Sequence, residues 1–302
     1  SCVAFFFSCL EHTRVLPRPL RRARQMCKRS RGPPRPEAHR MTSPASITAL
    51  VLAGTRPGKP DPVAVAGGVS HKALLPIDGV PMVVRVVNAL QAVPAIGRIV
   101  VCLEDPAVLA GLLPSSVLVV PSRPEGPSAS VLDSLARFGT PLLVTTADNA
   151  LLQPEWVEEL LHKSALQTDI AVGVATQAAI QQSVPQTKRT YIRLTDMVFS
   201  GCNLFYFKTS VSARVADLWR SVEKNRKHPL RVAWTLGLGV LLRAVTGRLS
   251  TRALYARIYA LTSARAELLP LSDGRAAVDV DKEADIILAQ ELAPALKLQY
   301  GH

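Results

Sequence analysis

The chain is predicted to form a three-layer α/β domain with a mostly parallel (mixed) sheet and a helical insertion before its last strand. Three observations predict it. Short apolar runs alternate with amphipathic segments from Ile47 onward, the pattern of strands covered on both faces by helices. The first run, Ala49 to Leu52, stops at Ala53-Gly54 and opens into a basic, Gly- and Pro-rich loop. A later run, Pro141 to Thr146, stops just before Asp148. An acid at the carboxyl end of a parallel strand lies where open α/β sheets bind ligands.

Composition sets the bounds. The 302 residues are 48% hydrophobic, enough for a substantial core in one large domain or two small ones. The net charge of +13 is uneven: residues 1–40 hold ten Arg or Lys against Glu11 and Glu37, which accounts for +8 of it. That segment mixes Arg and Pro runs and is expected to be disordered, processed or upstream-translated, with the domain beginning at Met41. Its arginines lack interleaved aromatics, so no nucleic-acid partner is expected. Cys102 and Cys202 stand alone in apolar surroundings, as buried thiols of a cytoplasmic protein would. They form no zinc or catalytic-cysteine pattern.

After the first strand, Gly54 and Gly58 allow the backbone to approach an anion, and Arg56, Lys59 and Lys72 add positive charge. The loop therefore reads as a phosphate cradle, although it matches neither the Walker pattern nor the dinucleotide glycine spacing. Lys72 is followed by an apolar piece, Ala73 to Ile77, and the turn Asp78-Gly79. Pro81 precedes an amphipathic helix from Met82 to Val93. Ile99 to Leu103 and Val117 to Val120 are the next strands, with a short helical turn around 107–112 between them. Ser128 is placed to cap a helix over Ala129 to Arg137. The strand before Asp148 leads to a helix from Pro154 to His162, and Asp169 to Thr176 is a further strand.

Gln177 to Lys188 reads as a mobile loop over the site. Thr190 to Leu194 and Asn203 to Phe207 are expected to pair through a turn at Ser200-Gly201. Three helices follow, Val211–Val222, Pro229–Thr246 and Leu249–Tyr259, within an insertion of about 210–262 rich in Arg and Lys. Their apolar runs fall short of the roughly 20 residues needed to span a bilayer, but a basic amphipathic surface could contact anionic lipid peripherally. Glu267 to Leu271 and Ala276 to Val280 are the last strands. Asp279 and Asp281 would then share a strand face, with Asp281 also capping the final helix.

These motifs together resemble the MobA-like NTP transferases, nucleotidyltransferases with the GT-A-like, Rossmann-type fold of nucleotide-diphospho-sugar transferases. Leu52-Ala53-Gly54, Arg56 and Gly58 match that family's first motif, and Lys72, Leu74, Gly79, Pro81 and Met82 its second. Thr55 replaces a family glycine, and Lys282-Glu283 replaces the Thr-Pro that follows the last acidic pair.

The resemblance implies transfer of NMP from an NTP to a phosphorylated small-molecule acceptor, with release of pyrophosphate. It implies that Leu52, Ala53, Gly54, Thr55, Gly58, Lys59, Gly126, Ser128 and Ser130 bind nucleotide, and that Arg56 and Lys72 are catalytic. Asp148 and Asp281 would hold Mg²⁺, and Arg189, Tyr191 and Asn203 would face the acceptor. Two other functions fit the text less well. One is a nucleotide-binding module without turnover, suggested by Thr55. The other is a GT-A glycosyltransferase using an NDP-sugar, whose D-x-D could only be Asp279-Val280-Asp281.

Overall fold

The structure is a computed structural model that describes residues 46–55, 61–225 and 237–296. Arg56, Gly58 and Lys59 lie outside the described residues, as do residues 1–40 and the 229–236 part of the expected second insertion helix. In chain order the elements are β1 (Ile47–Leu52), α1 (Pro62–Ala66), β2 (Pro76–Ile77), β3 (Val80–Pro81), α2 (Met82–Gln91), β4 (Ile96–Leu103) and β5 (Leu118–Pro121). Then come α3 (Pro127–Phe138), β6 (Leu142–Thr146), α4 (Pro154–Lys163), β7 (Ile170–Thr176), α5 (Gln177–Ser183), β8 (Ile192–Arg193) and β9 (Val198–Phe207). The last are α6 (Ala213–Lys224), α7 (Leu238–Val245), α8 (Thr251–Thr262), β10 (Ala266–Pro270) and α9 (Glu283–Leu292).

The main sheet runs β10-β7-β9-β6-β1-β4-β5, with β8 beside β9. Its pairs are parallel except those made by β9, which runs antiparallel to β6, β7 and β8. Side chains of β1 alternate between two cores, as a pleated strand requires. Ala49 and Val51 join the core that holds Val83, Val86 and Leu90 of α2 and Trp156 of α4. Leu50 joins the opposite core, with Val131 of α3 and Leu218, Trp219 and Val222 of α6. Helices on both faces make the three layers that the alternation predicts. From β1 the chain steps to β4 and β5 on one side, then returns to β6 on the other. The strand order therefore reverses at β1, and the crevice beyond β1 and β6 is the expected binding position.

Four local expectations are corrected. Residues Gln177–Ser183 are helical, with the Thr176 hydroxyl accepting the Ala179 N–H at 3.2 Å. Ser200 and Gly201 lie inside β9, and the reversal falls at Leu194–Met197, closed by the Leu194 N–H on the Met197 carbonyl at 2.8 Å. The cause is packing: Phe199, Leu204 and Phe207 are buried along one continuous strand. Ala276 to Val280 forms no strand, because it ends a 3-10 turn (Gly274–Ala277) and then crosses the end of β6. Ser128 is not the cap of α3; Gly126 is, and Ser128 lies within the first turn.

Candidate active site

The hairpin β2–β3 turns on Asp78 and Gly79, both at positive φ (51° and 75°), the geometry of a tight two-residue hairpin. Just before it, Lys72 opens a 3-10 turn (Lys72–Leu74). On α2, Arg85 is 3% exposed and donates to the Ala150 carbonyl at 2.9 Å and the Ile77 carbonyl at 3.2 Å. It ties the hairpin to the loop that carries Asp148. Its signal in the sequence was a charge within the apolar helix.

Lys72 Nζ lies 2.8 Å from Asp148 Oδ2 and 2.9 Å from Asp281 Oδ1. Three residues distant in sequence thus converge above the ends of β1 and β6. The Val280 N–H donates to the Asp148 carbonyl at 3.0 Å, which fixes the two acidic segments against each other. Burial works against the Lys72 ammonium, but the Asp148 and Asp281 carboxylates hold its pKa above the ordinary lysine value. Burial likewise pushes Asp281 upward, yet its pKa lies below the usual carboxylate range, and the Lys72 ammonium is the largest downward pull.

Behind Asp281 lies a second charged cluster. The Arg189 guanidinium donates to the Asp279 carboxylate, to the Asp279 carbonyl at 3.3 Å, and sits 3.6 Å from Asp285 Oδ1. Asn203 Nδ2 donates to Asp279 Oδ2 at 2.9 Å. The Asp285 carboxylate accepts the N–H groups of Asp281 and Lys282, both at 3.1 Å. Asp281 therefore does not cap α9 with its side chain; Asp285 reaches back instead. The Arg189 side chain (8% exposed) and the buried Asn203 are engaged in this cluster, and Tyr191 packs against the core. Asp279 is 3% exposed, whereas Asp281 faces Lys72, so the two acids do not share a face.

At the end of β1, the Thr55 N–H and hydroxyl both donate to Glu104, the N–H at 3.0 Å to Oε2. Ala53 is 5% exposed, its N–H on the Cys102 carbonyl at 2.8 Å, and Leu52 is partly buried at the end of the strand. A Cβ on Gly54 would lie 3.1 Å from Glu104 Oε2, so the close approach favours glycine. Residue Thr55, where the family has glycine, is thus engaged by an acid that sequence reading passed over. Around α3, Gly126 adopts φ 126°, and the Ser128 hydroxyl donates to Glu223 of α6. Ser130 accepts the Arg123 N–H at 2.9 Å. Both serines are buried, at 1% and 3% exposure, so they brace the loop in this state. Burial pushes the Cys102 and Cys202 thiols up, away from nucleophilic character.

Two carboxylates that meet on one ammonium define one cation position, so Asp148 and Asp281 fit a divalent metal. Among the described residues, no group of three or more His, Cys, Asp or Glu is arranged to hold a metal ion. A cation here would complete its shell with phosphate oxygens and water, which suits Mg²⁺ better than a metal needing an all-protein cage.

The mixed, mostly parallel sheet with its reversal of strand order at β1 is the GT-A-like fold. The chain belongs to the MobA-like NTP transferase domain family, which matches residues 49–262. It is 33% identical over 149 residues to a 3-deoxy-manno-octulosonate cytidylyltransferase of Rhodopseudomonas palustris, a match covering 46% of this chain and 54% of the relative. It is 38% identical over 116 residues to a probable molybdenum cofactor guanylyltransferase of Natronomonas pharaonis, covering 34% and 55%. The chain thus spans about half the length of the curated relatives it matches. A hypothetical transferase structure from Thermus thermophilus is 33% identical, covers 79% of this chain and 98% of its own, and superposes with a TM-score of 0.68.

Proposed function

We propose that the protein transfers NMP from an NTP to a phosphorylated small-molecule acceptor. The observation that carries this reading is the meeting of Lys72, Asp148 and Asp281 at the strand ends. An acceptor oxygen attacks the α-phosphorus, the bond to the bridging oxygen breaks, and pyrophosphate leaves with the electron pair. The chain supplies position and charge rather than a nucleophile. Asp148 and Asp281 would hold Mg²⁺, which when bound would supply charge neutralisation at the phosphates. Lys72 leaves the two acids and follows the triphosphate as a mobile point charge, with Arg56 adding a second positive charge. By their place in the sequence motif, Gly54, Gly58 and Lys59 are assigned to the phosphates, and the Gly126–Ser130 segment to the base and ribose.

Exposed Arg243, Arg248 and Arg252 beside Leu242 (58% exposed) support a peripheral contact with anionic lipid, and co-sedimentation with anionic vesicles tests it. Among the described residues, no helix is long and apolar enough to cross a membrane.

The test is a pyrophosphate-release screen of the four NTPs against sugar phosphates, polyol phosphates, molybdopterin and 3-deoxy-manno-octulosonate. Mg²⁺-dependent release with a phosphorylated acceptor supports the reading. Nucleotide binding without release from any pair would leave a binding module in its place.

A further inference from the structure

The segment that carries Asp281 has no secondary structure of its own, lying between the 3-10 turn at Gly274–Ala277 and α9. A metal ligand on such a segment needs outside support to hold its carboxylate still. We propose that Arg189 is the positioning residue for Asp281, acting through Asp279 and Asp285. This rests on the reading of Asp148 and Asp281 as the residues that hold the divalent cation.

The geometry is specific. One guanidinium meets the Asp279 carboxylate, the Asp279 carbonyl and the Asp285 carboxylate. Asp285 then uses its other oxygen to accept the backbone N–H of Asp281 itself, at 3.1 Å. Arg189 therefore reaches the Asp281 backbone from both sides, two residues before it and four after it. Its side chain is 8% exposed, and those of Asp279 and Asp285 are 4% and 5% exposed. A planar fork can face two acids and a carbonyl at once, whereas an ammonium is a single point of charge.

The far side of the cluster is also built for this arrangement. The pairing of β9 with β7 shifts register between Gly173 and Val174. Within that bulge Asn203 takes φ 49°, a left-handed conformation that Asn tolerates better than most residues. The bulge aims Asn203 Nδ2 at the second Asp279 oxygen, 2.9 Å away. A strand irregularity, a buried arginine and two buried acids thus serve one loop. Arg189 comes from the coil between α5 and β8, so this support reaches Asp281 from a segment about ninety residues earlier in the chain.

The test is Mn²⁺ affinity, read by electron paramagnetic resonance on the nucleotide-free protein, for wild type, Asp281→Asn, Arg189→Lys and Asp285→Asn. Circular dichroism on the same samples reports folding. Loss of affinity in Asp281→Asn establishes the underlying metal reading, and its retention would overturn that reading separately. Given that loss, folded Arg189→Lys is expected to bind Mn²⁺ about tenfold to a hundredfold more weakly, with Asp285→Asn moving the same way. Should Arg189→Lys fail to fold, Asp285→Asn decides alone. Wild-type Mn²⁺ affinity in whichever of the two is folded would overturn the proposal, as would unfolding of both, which would make the cluster a folding element only.

Discussion

The Lys72 ammonium stands 2.8 Å from Asp148 across 76 residues of chain, and a second carboxylate, Asp281, closes on the same nitrogen. A divalent metal held by these two acids would ask for the same oxygens as the lysine. Replacing Lys72 by Met should free both acids, so Mn²⁺ affinity without nucleotide should rise several-fold in a titration. Turnover should fall by about a hundredfold to a thousandfold, the usual cost of losing one charge contact made in the transition state. Weaker Mn²⁺ binding in Lys72→Met would show that lysine supports the cation site instead of competing for it.

Glu223 joins α6 to the first turn of α3 through the Ser128 hydroxyl and, at 3.3 Å, the Ser128 N–H. Glu223→Ala would leave a buried hydroxyl without this partner and remove an acid from a helix N-terminus. A loss of about 0.5–2 kcal/mol is expected in denaturant unfolding, the range for a lost cap. Unchanged stability would mean that water replaces the contact without cost.

The acid side of the stability profile should carry the mark of Asp281. Its folded pKa lies below the ordinary aspartate value, so its contribution is present above the unfolded pKa and is lost as pH falls through the folded one. Asp281→Asn should accordingly be less stable than wild type at neutral pH, with the gap closing below about pH 4. Because the Asp281 side chain is 48% exposed, the gap will be screened by salt. A gap independent of pH would assign the difference to packing rather than charge. At the alkaline end the sign reverses for Lys72: its raised pKa gives stability that is present below the ordinary lysine value and lost above the folded one.

The alternation of apolar runs was sufficient to read the layers, because strands buried on both faces and amphipathic helices have different periods. Lys72, Asp148 and Asp281 were also legible, each sitting at a break in an apolar run. What escaped was whatever depends on contacts between distant segments. Glu104 follows a strand end without a motif, and nothing in the text pairs it with Thr55. Arg189, on the coil after α5, and Asn203, on the β9 bulge, look like surface polar residues until both meet Asp279. The Gln177–Ser183 helix is polar and short, so its pattern resembles a loop.

The most direct test of nucleotidyl transfer is pyrophosphate release by Asp148→Asn, measured beside wild type with the NTP and acceptor identified by the screen. One charge is removed at nearly constant volume, and Asp148 is the acid that both touches Lys72 and accepts the Val280 N–H through its backbone carbonyl. That backbone bond survives the substitution, so the fold should be retained while Mg²⁺-dependent release is lost. Wild-type release from folded Asp148→Asn would contradict the account.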